Sequence, residues 1–153
     1  MPYLNRLTQI LRNNLVQNGN ILIGQAGCSD INIKGNFVAF ISDSNIIQQQ
    51  VLDTLFNDVE GYKQKNDWVV FGENKVLICE MKTETTNGYE SQLKNGKLLV
   101  DFILQKMRLN EDNNNKPTNR IKYKYVLFSK HPSKLVGNKP QGVHNKDLNG
   151  MLF

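Results

Sequence analysis

The chain has 153 residues, enough for about one domain with a real buried core, and its 19 Lys and Arg against 14 Asp and Glu leave a net charge of +5. A pI near 9.2 suits a polyanionic partner such as nucleic acid. No stretch approaches the roughly 20 apolar residues of a membrane span, the start Met-Pro-Tyr-Leu-Asn-Arg lacks the apolar region of a secretory signal, and Cys28 and Cys79 fall in unrelated contexts without zinc spacing, so the expectation is a cytoplasmic protein with buried thiols and no membrane partner.

Leu4, Leu7, Leu11 and Leu15, with Ile10 beside them, recur at helical spacing up to a stop at Asn18-Gly19 and predict an amphipathic helix over residues 3–17. Its apolar stripe serves either the core or a partner surface, and a homodimer across a two-fold axis is one use for it. Ile21-Leu22-Ile23 is a short strand candidate. Ile31 and Ile33 alternate, Gly35-Asn36 follows as a turn, and residues 37–41 resume the apolar run, which together read as a hairpin. Asp30 and Asp43 are read as turn or capping residues. Ser42-Asp43-Ser44-Asn45 signals a helix start before Ile46, Ile47, Val51, Leu52, Leu55 and Phe56. At about 100° per residue these cover half the wheel apart from Ile46, and Gln48 falls near the middle of the apolar arc, where its amide needs a partner.

The stretch 67–82 (DWVVFGENKVLICEMK) holds two apolar runs separated by Gly72-Glu73-Asn74-Lys75, the pattern of a β-hairpin. With those four residues as the loop, Phe71 pairs with Val76 and Asp67 stands opposite Glu80. Directly opposed Cβ atoms lie about 4.5–5.5 Å apart, where like charges repel, so two carboxylates placed there call for a cation. Alternation along the strand puts Lys82 on the face of Glu80, and Leu77, Cys79 and Met81 on the other. Residues 83–88 then read as a polar loop, and residues 89–109 as the longest helix, with Leu93, Leu99, Val100, Ile103 and Met107 on its inner stripe and Gln92 in line with them. After an Asn-rich exposed excursion over residues 110–119, residues 121–128 (IKYKYVLF) suit a strand lying parallel to the hairpin after a helical crossover.

From Lys116 to Lys146 there are eight Lys or Arg and no Asp or Glu, so positive charge is concentrated at one end. Lys130, Lys134, Lys139 and Lys146 are the candidates for contact with a phosphate backbone, against a solvated tail as the plain alternative. His131 and His144 lie among turn residues there, without the partners a zinc site needs.

An acid opening one strand and an acid-x-Lys closing the next, here Asp67 and Glu80-Met81-Lys82, resembles the PD-(D/E)xK nuclease superfamily. The resemblance implies an α/β fold, a restriction-endonuclease-like core over residues 45–129 with a mixed sheet flanked by helices on both faces, residues 1–44 being an extension and residues 130–153 a basic segment. It implies Mg²⁺, with Mn²⁺ able to substitute, held by Asp67, Glu80 and the carbonyl of Met81, and Lys82 orienting or activating water. Many relatives carry a supporting acid on the helix before the hairpin; the wheel puts Gln48 in that place here, with Asp58 or Glu60 as alternatives and Asp53 on the far face. Gln92, ten residues after Lys82, is similar to the supporting Gln of the RecB-like branch, whose Tyr four residues on is replaced by Gly96, while Asn66 stands where the superfamily has Pro. The implied activity is phosphodiester hydrolysis on nucleic acid, DNA before RNA; the alternatives are an inactive binding module that keeps the fold and an RNA-cleaving toxin or defence effector.

Overall fold

The hairpin lies at the middle of a six-stranded sheet. The computed structural model describes residues 2–17, 19–24, 28, 30–58, 63–82, 88–129, 141–143 and 151–152. In chain order the elements are helix α1 (Pro2–Ile10), strands β1 (Val16–Gln17), β2 (Ile21–Leu22), β3 (Ile31–Lys34) and β4 (Val38–Ile41), short helix α2 (Asn45–Ile47), a π-helical segment (Gln48–Leu52), short helix α3 (Asp53–Leu55), strands β5 (Trp68–Phe71) and β6 (Lys75–Lys82), helix α4 (Tyr89–Asn110), and strands β7 (Lys122–Ser129), β8 (Gln141–Val143) and β9 (Met151–Leu152). The large sheet runs β1-β4-β5-β6-β7-β8 and the small one β2-β3-β9. From β1 to β6 neighbours are antiparallel, whereas β7 and β8 join in parallel, so the architecture is α/β with a mixed sheet.

The hairpin register follows from its turn. Gly72 N–H donates to the Lys75 carbonyl at 2.8 Å, Phe71 pairs with Val76, and counting outward reaches Trp68 opposite Cys79. Both β5 and most of β6 are buried on both faces. Val69, Phe71, Val76 and Ile78 meet Tyr3, Leu4 and Leu7 of α1 and Leu93, Val100, Leu104 and Met107 of α4. On the reverse face Trp68, Val70, Leu77, Cys79 and Met81 meet Leu22, Ile31 and Ile33, and Trp68 Nε1 donates to the Ile23 carbonyl at 3.1 Å. Each such fully buried large side chain contributes about 1.5–3 kcal/mol relative to exposure. Both cysteines are buried thiols outside any disulfide, as their contexts predict.

Several expectations are corrected here. Among the described residues α1, α2 and α4 pack on one face of the large sheet, and the second face is covered by β2 and β3 in place of helices. The reason lies in β3, where Ile31 and Ile33 point inward while Asn32 and Lys34 are exposed, a one-sided strand that covers the sheet without a helix. The expected hairpin of β3 with β4 does not form. Gly35, at φ 110°, turns the chain out of the small sheet, and β4 enters the large one between β1 and β5. Its unbroken apolar run VAFI, with Val38, Ala39 and Phe40 buried, is that of an interior strand that needs a neighbour on each edge. Residues 1–44 supply β1 and β4 to the large sheet, β2 and β3 to the small one, and α1. Helix α1 stops at Ile10, since the chain turns at Asn13-Asn14 (Leu15 N–H to Arg12 carbonyl, 2.9 Å) to start β1. Its Tyr3, Leu4 and Leu7 are buried in their own core, which uses the stripe that the sequence offered for pairing with a second copy.

The expected parallel crossover is present. Helix α4 carries the chain from β6 to β7, and Glu80 comes to lie beside Leu127 and Lys82 beside Ser129 in register. Asp30 has the plain role expected of it, its carboxylate accepting Gly24 N–H at 2.7 Å.

Candidate functional site

Asp67 is the residue before β5, and Glu80 sits near the end of β6. Because Val69, Phe71, Val76 and Ile78 face α4, the period of two puts Asp67, Glu80 and Lys82 on that same face. The two carboxyl groups are buried, with Asp67 7% and Glu80 1% exposed. Regular strand pairing ends here: Asp67 N–H donates to the Cys79 carbonyl at 3.1 Å, and the Asp67 Oδ2 atom then accepts Met81 N–H at 2.6 Å. Lys82 Nζ lies 2.9 Å from Glu80 Oε1, while Glu80 Oε2 is buried with no hydrogen-bond partner among the described residues.

Burial opposes ionisation of both acids. It raises Asp67 from 3.8 to about 6, with the charge of Asp43 adding to the rise and the Met81 N–H and Lys82 opposing it. Glu80 is pushed from 4.5 to about 7 by burial and then by the charge of Asp67, against the pull of Lys82. Burial thus holds both acids toward their protonated forms beside a single ammonium.

None of the supporting residues inferred from the resemblance that the structure describes is hydrogen-bonded to the acids. Gln48 is half-buried and its Nε2 donates to Asp53 Oδ1 at 2.7 Å, and no hydrogen bond joins it to Asp67, Glu80 or Lys82. The wheel misplaced it because the chain winds as a π-helix from Gln48 to Leu52: Asp53 N–H donates to the Gln48 carbonyl, so residues five apart, not four, are stacked. Asp58 is exposed and paired with Lys63 at 2.7 Å. Gln92 lies half-buried in the first turn of α4, its N–H donating to the Gly88 carbonyl at 3.2 Å, and no hydrogen bond joins its side chain to the acids. Glu60, the greater part of the loop at 83–87, both histidines, and Lys130, Lys134, Lys139 and Lys146 fall outside the described residues.

Ser42, Asp43 and Asn66, which carry no site role in the sequence reading, lie beside Asp67, and Gly96 lies against Asn66. Asp43, read as a turn residue, approaches Asp67 closely enough to raise its pKa and is paired with Lys65 at 2.9 Å, while Asp43 N–H and Ser42 N–H point to the Asp67 carbonyl at 3.4 and 3.2 Å. Ser42 and Asn66 are fully buried polar residues, and Gly96 of α4 packs directly on Asn66. A glycine within an otherwise regular helical pattern was the available signal for that close approach. Comparison of the chain with protein-family models, with curated proteins and with solved structures finds no match in any of the three.

Proposed function

We propose that the chain is a metal-dependent phosphodiesterase acting on nucleic acid, DNA before RNA, with a restriction-endonuclease-like core of the PD-(D/E)xK type. The observation that carries this reading is the buried juxtaposition of Asp67 with Glu80, one carboxylate oxygen of which has no hydrogen-bond partner among the described residues while the other meets Lys82. The succession α2, β5, β6, α4, β7 with β6 parallel to β7 supports the fold assignment.

The donor set fits Mg²⁺. Asp67 and Glu80 bring two carboxylates, a number that suits an ion that keeps several waters and takes one or two protein acids. Asp67, Glu80 and the carbonyl of Met81 would hold it. When bound, the ion supplies Lewis acidity toward a phosphoryl oxygen and acidifies coordinated water. Asp67 keeps its carboxylate oriented through the Met81 N–H. Lys82, on the same strand face as Glu80, places a positive charge where negative charge develops on the attacking oxygen.

A second reading, a binding module without chemistry, draws on the Lys82–Glu80 contact, which neutralises the pair without any ion. Cleavage assays on plasmid, single-stranded DNA, branched DNA and tRNA with Mg²⁺ decide between them. The enzyme reading requires cleavage that Glu80→Ala and Lys82→Ala abolish; equal cleavage by wild type and variants overturns it.

A further inference from the structure

Asn66 stands one residue before Asp67 and is fully buried. Its side-chain nitrogen donates to the Trp68 carbonyl at 2.6 Å and to the Cys79 carbonyl at 3.2 Å. That Cys79 carbonyl also accepts Asp67 N–H, and its peptide unit leads straight into Glu80. One oxygen thus ties the backbone of the first acid to the residue before the second, and Asn66 provides the extra donor that fixes it. On its other side the amide is itself held. Ser42 Oγ lies 3.0 Å from Asn66 Oδ1 and 2.6 Å from the Asn66 carbonyl, its proton serving one of them at a time. Helix α4 closes the third side at Gly96, where an added Cβ would overlap Asn66 Oδ1 and stand 2.6 Å from Asn66 Cγ and 2.8 Å from Ile78 Cγ2.

We infer that Asn66 is the positioning residue of the acid pair and that Gly96 makes α4 the surface that holds it in place. The seat of α4 on Asn66 fixes the Cys79 peptide, the Cys79 peptide fixes the start of β5 against the end of β6, and the approach of Asp67 Oδ2 to Met81 N–H follows. Only the consequence for cation binding rests on the function proposed above. The positional part stands on hydrogen bonds and packing alone.

Met81 N–H is the reporter. Bonded to a carboxylate, its proton resonates downfield, and its position in a ¹H–¹⁵N spectrum reads the Asp67 contact directly. Asn66→Ala and Gly96→Ala should each move it upfield while the amide resonances of the C-terminal half of α4 keep their places. Ser42→Ala, which removes one support and leaves Asn66 itself, should move it less and in the same direction. Because Gly96 acts through Asn66, adding Gly96→Ala to Asn66→Ala should shift Met81 little further, a non-additive cycle. In calorimetric titrations with Mg²⁺ alone, each single variant at 66 or 96 should weaken binding about 10–100-fold, as loss of an outer-shell support does.

An unmoved Met81 resonance in folded Asn66→Ala, or in Ser42→Ala if Asn66→Ala does not fold, overturns the inference. Additive shifts from Gly96→Ala and Asn66→Ala overturn the coupling to α4. A wild-type protein that binds no Mg²⁺ refutes the proposed function and leaves the Met81 result to decide the role of Asn66.

Discussion

The Met81 amide donates to the carboxylate of Asp67 across 2.6 Å, so a side chain takes over from the backbone where the central hairpin stops pairing. A charge-assisted bond of this kind favours ionised Asp67 while burial disfavours it. Glu80 is pushed higher by burial and by the charge of Asp67, against the pull of Lys82 and of the Asp67 N–H.

Stability without added metal should fall as pH rises. Asp67 and Glu80 titrate at about 6 and about 7 in the folded chain against 3.8 and 4.5 ordinarily, so the folded state binds their protons more tightly than the unfolded state does. Their contribution is fully present below about pH 4 and is lost as pH rises through 6 and 7. Thermal unfolding in chelator should give a lower Tm at pH 8 than at pH 5. Glu80→Gln should reduce that difference, and a Tm that climbs from pH 5 to pH 8 in wild type would refute the assignment.

Removing the ammonium leaves Glu80 uncompensated. Breaking a buried ion pair from one side costs about 3–5 kcal/mol, and the figure for Lys82→Met should lie near or below the low end because about a quarter of the lysine side chain is exposed. Urea unfolding should show a larger loss at pH 8, where Glu80 is ionised, than at pH 5, where it is protonated.

Gly96→Ala tests the packing of α4. Alanine favours a helix over glycine by about 1 kcal/mol, but overpacking against Asn66 and Ile78 costs about 1–3 kcal/mol or more, because the contacts are too close for the helix to keep its place. The urea midpoint should therefore fall. Lys106→Ala, at an exposed position of the same helix, should leave it within about 0.5 kcal/mol.

The positive charge over residues 116–146 predicts a salt-dependent grip on nucleic acid. Each phosphate contact adds about 0.9 to the slope of log affinity against log salt on duplex DNA, or about 0.7 on single strands. Replacing Lys134, Lys139 and Lys146 by Gln should flatten that slope by about two to three units, measured by fluorescence anisotropy across a salt series. An unchanged slope places the contact elsewhere.

What was legible in the sequence was local. A four-residue turn between period-two runs fixes which residue faces which as far as Trp68 opposite Cys79, and alternation then puts Asp67, Glu80 and Lys82 on one side. A long periodic segment followed by an aromatic, β-branched run was enough for α4 and its parallel strand β7. What depended on distant partners was not legible. The runs 31–34 and 38–41, with a Gly-Asn turn between them, read as partners, yet one closes the second face against Trp68 and Leu77 and the other joins the large sheet beside β1. The π-helical winding at Gln48 has no composition that announces it, and with it the role assigned to Gln48 moved to a contact with Asp53. The burial of Asn66 under Gly96 joins residues thirty positions apart, beyond the reach of any window of periodicity.

The central claim, that the buried acids at 67 and 80 form a cation site, is tested most directly by titrating Mg²⁺ and then Mn²⁺ into the protein by calorimetry at pH 8. Wild type should give a saturable binding isotherm that Asp67→Asn and Glu80→Gln each remove. A flat wild-type titration, both alone and in the presence of duplex DNA, would contradict it.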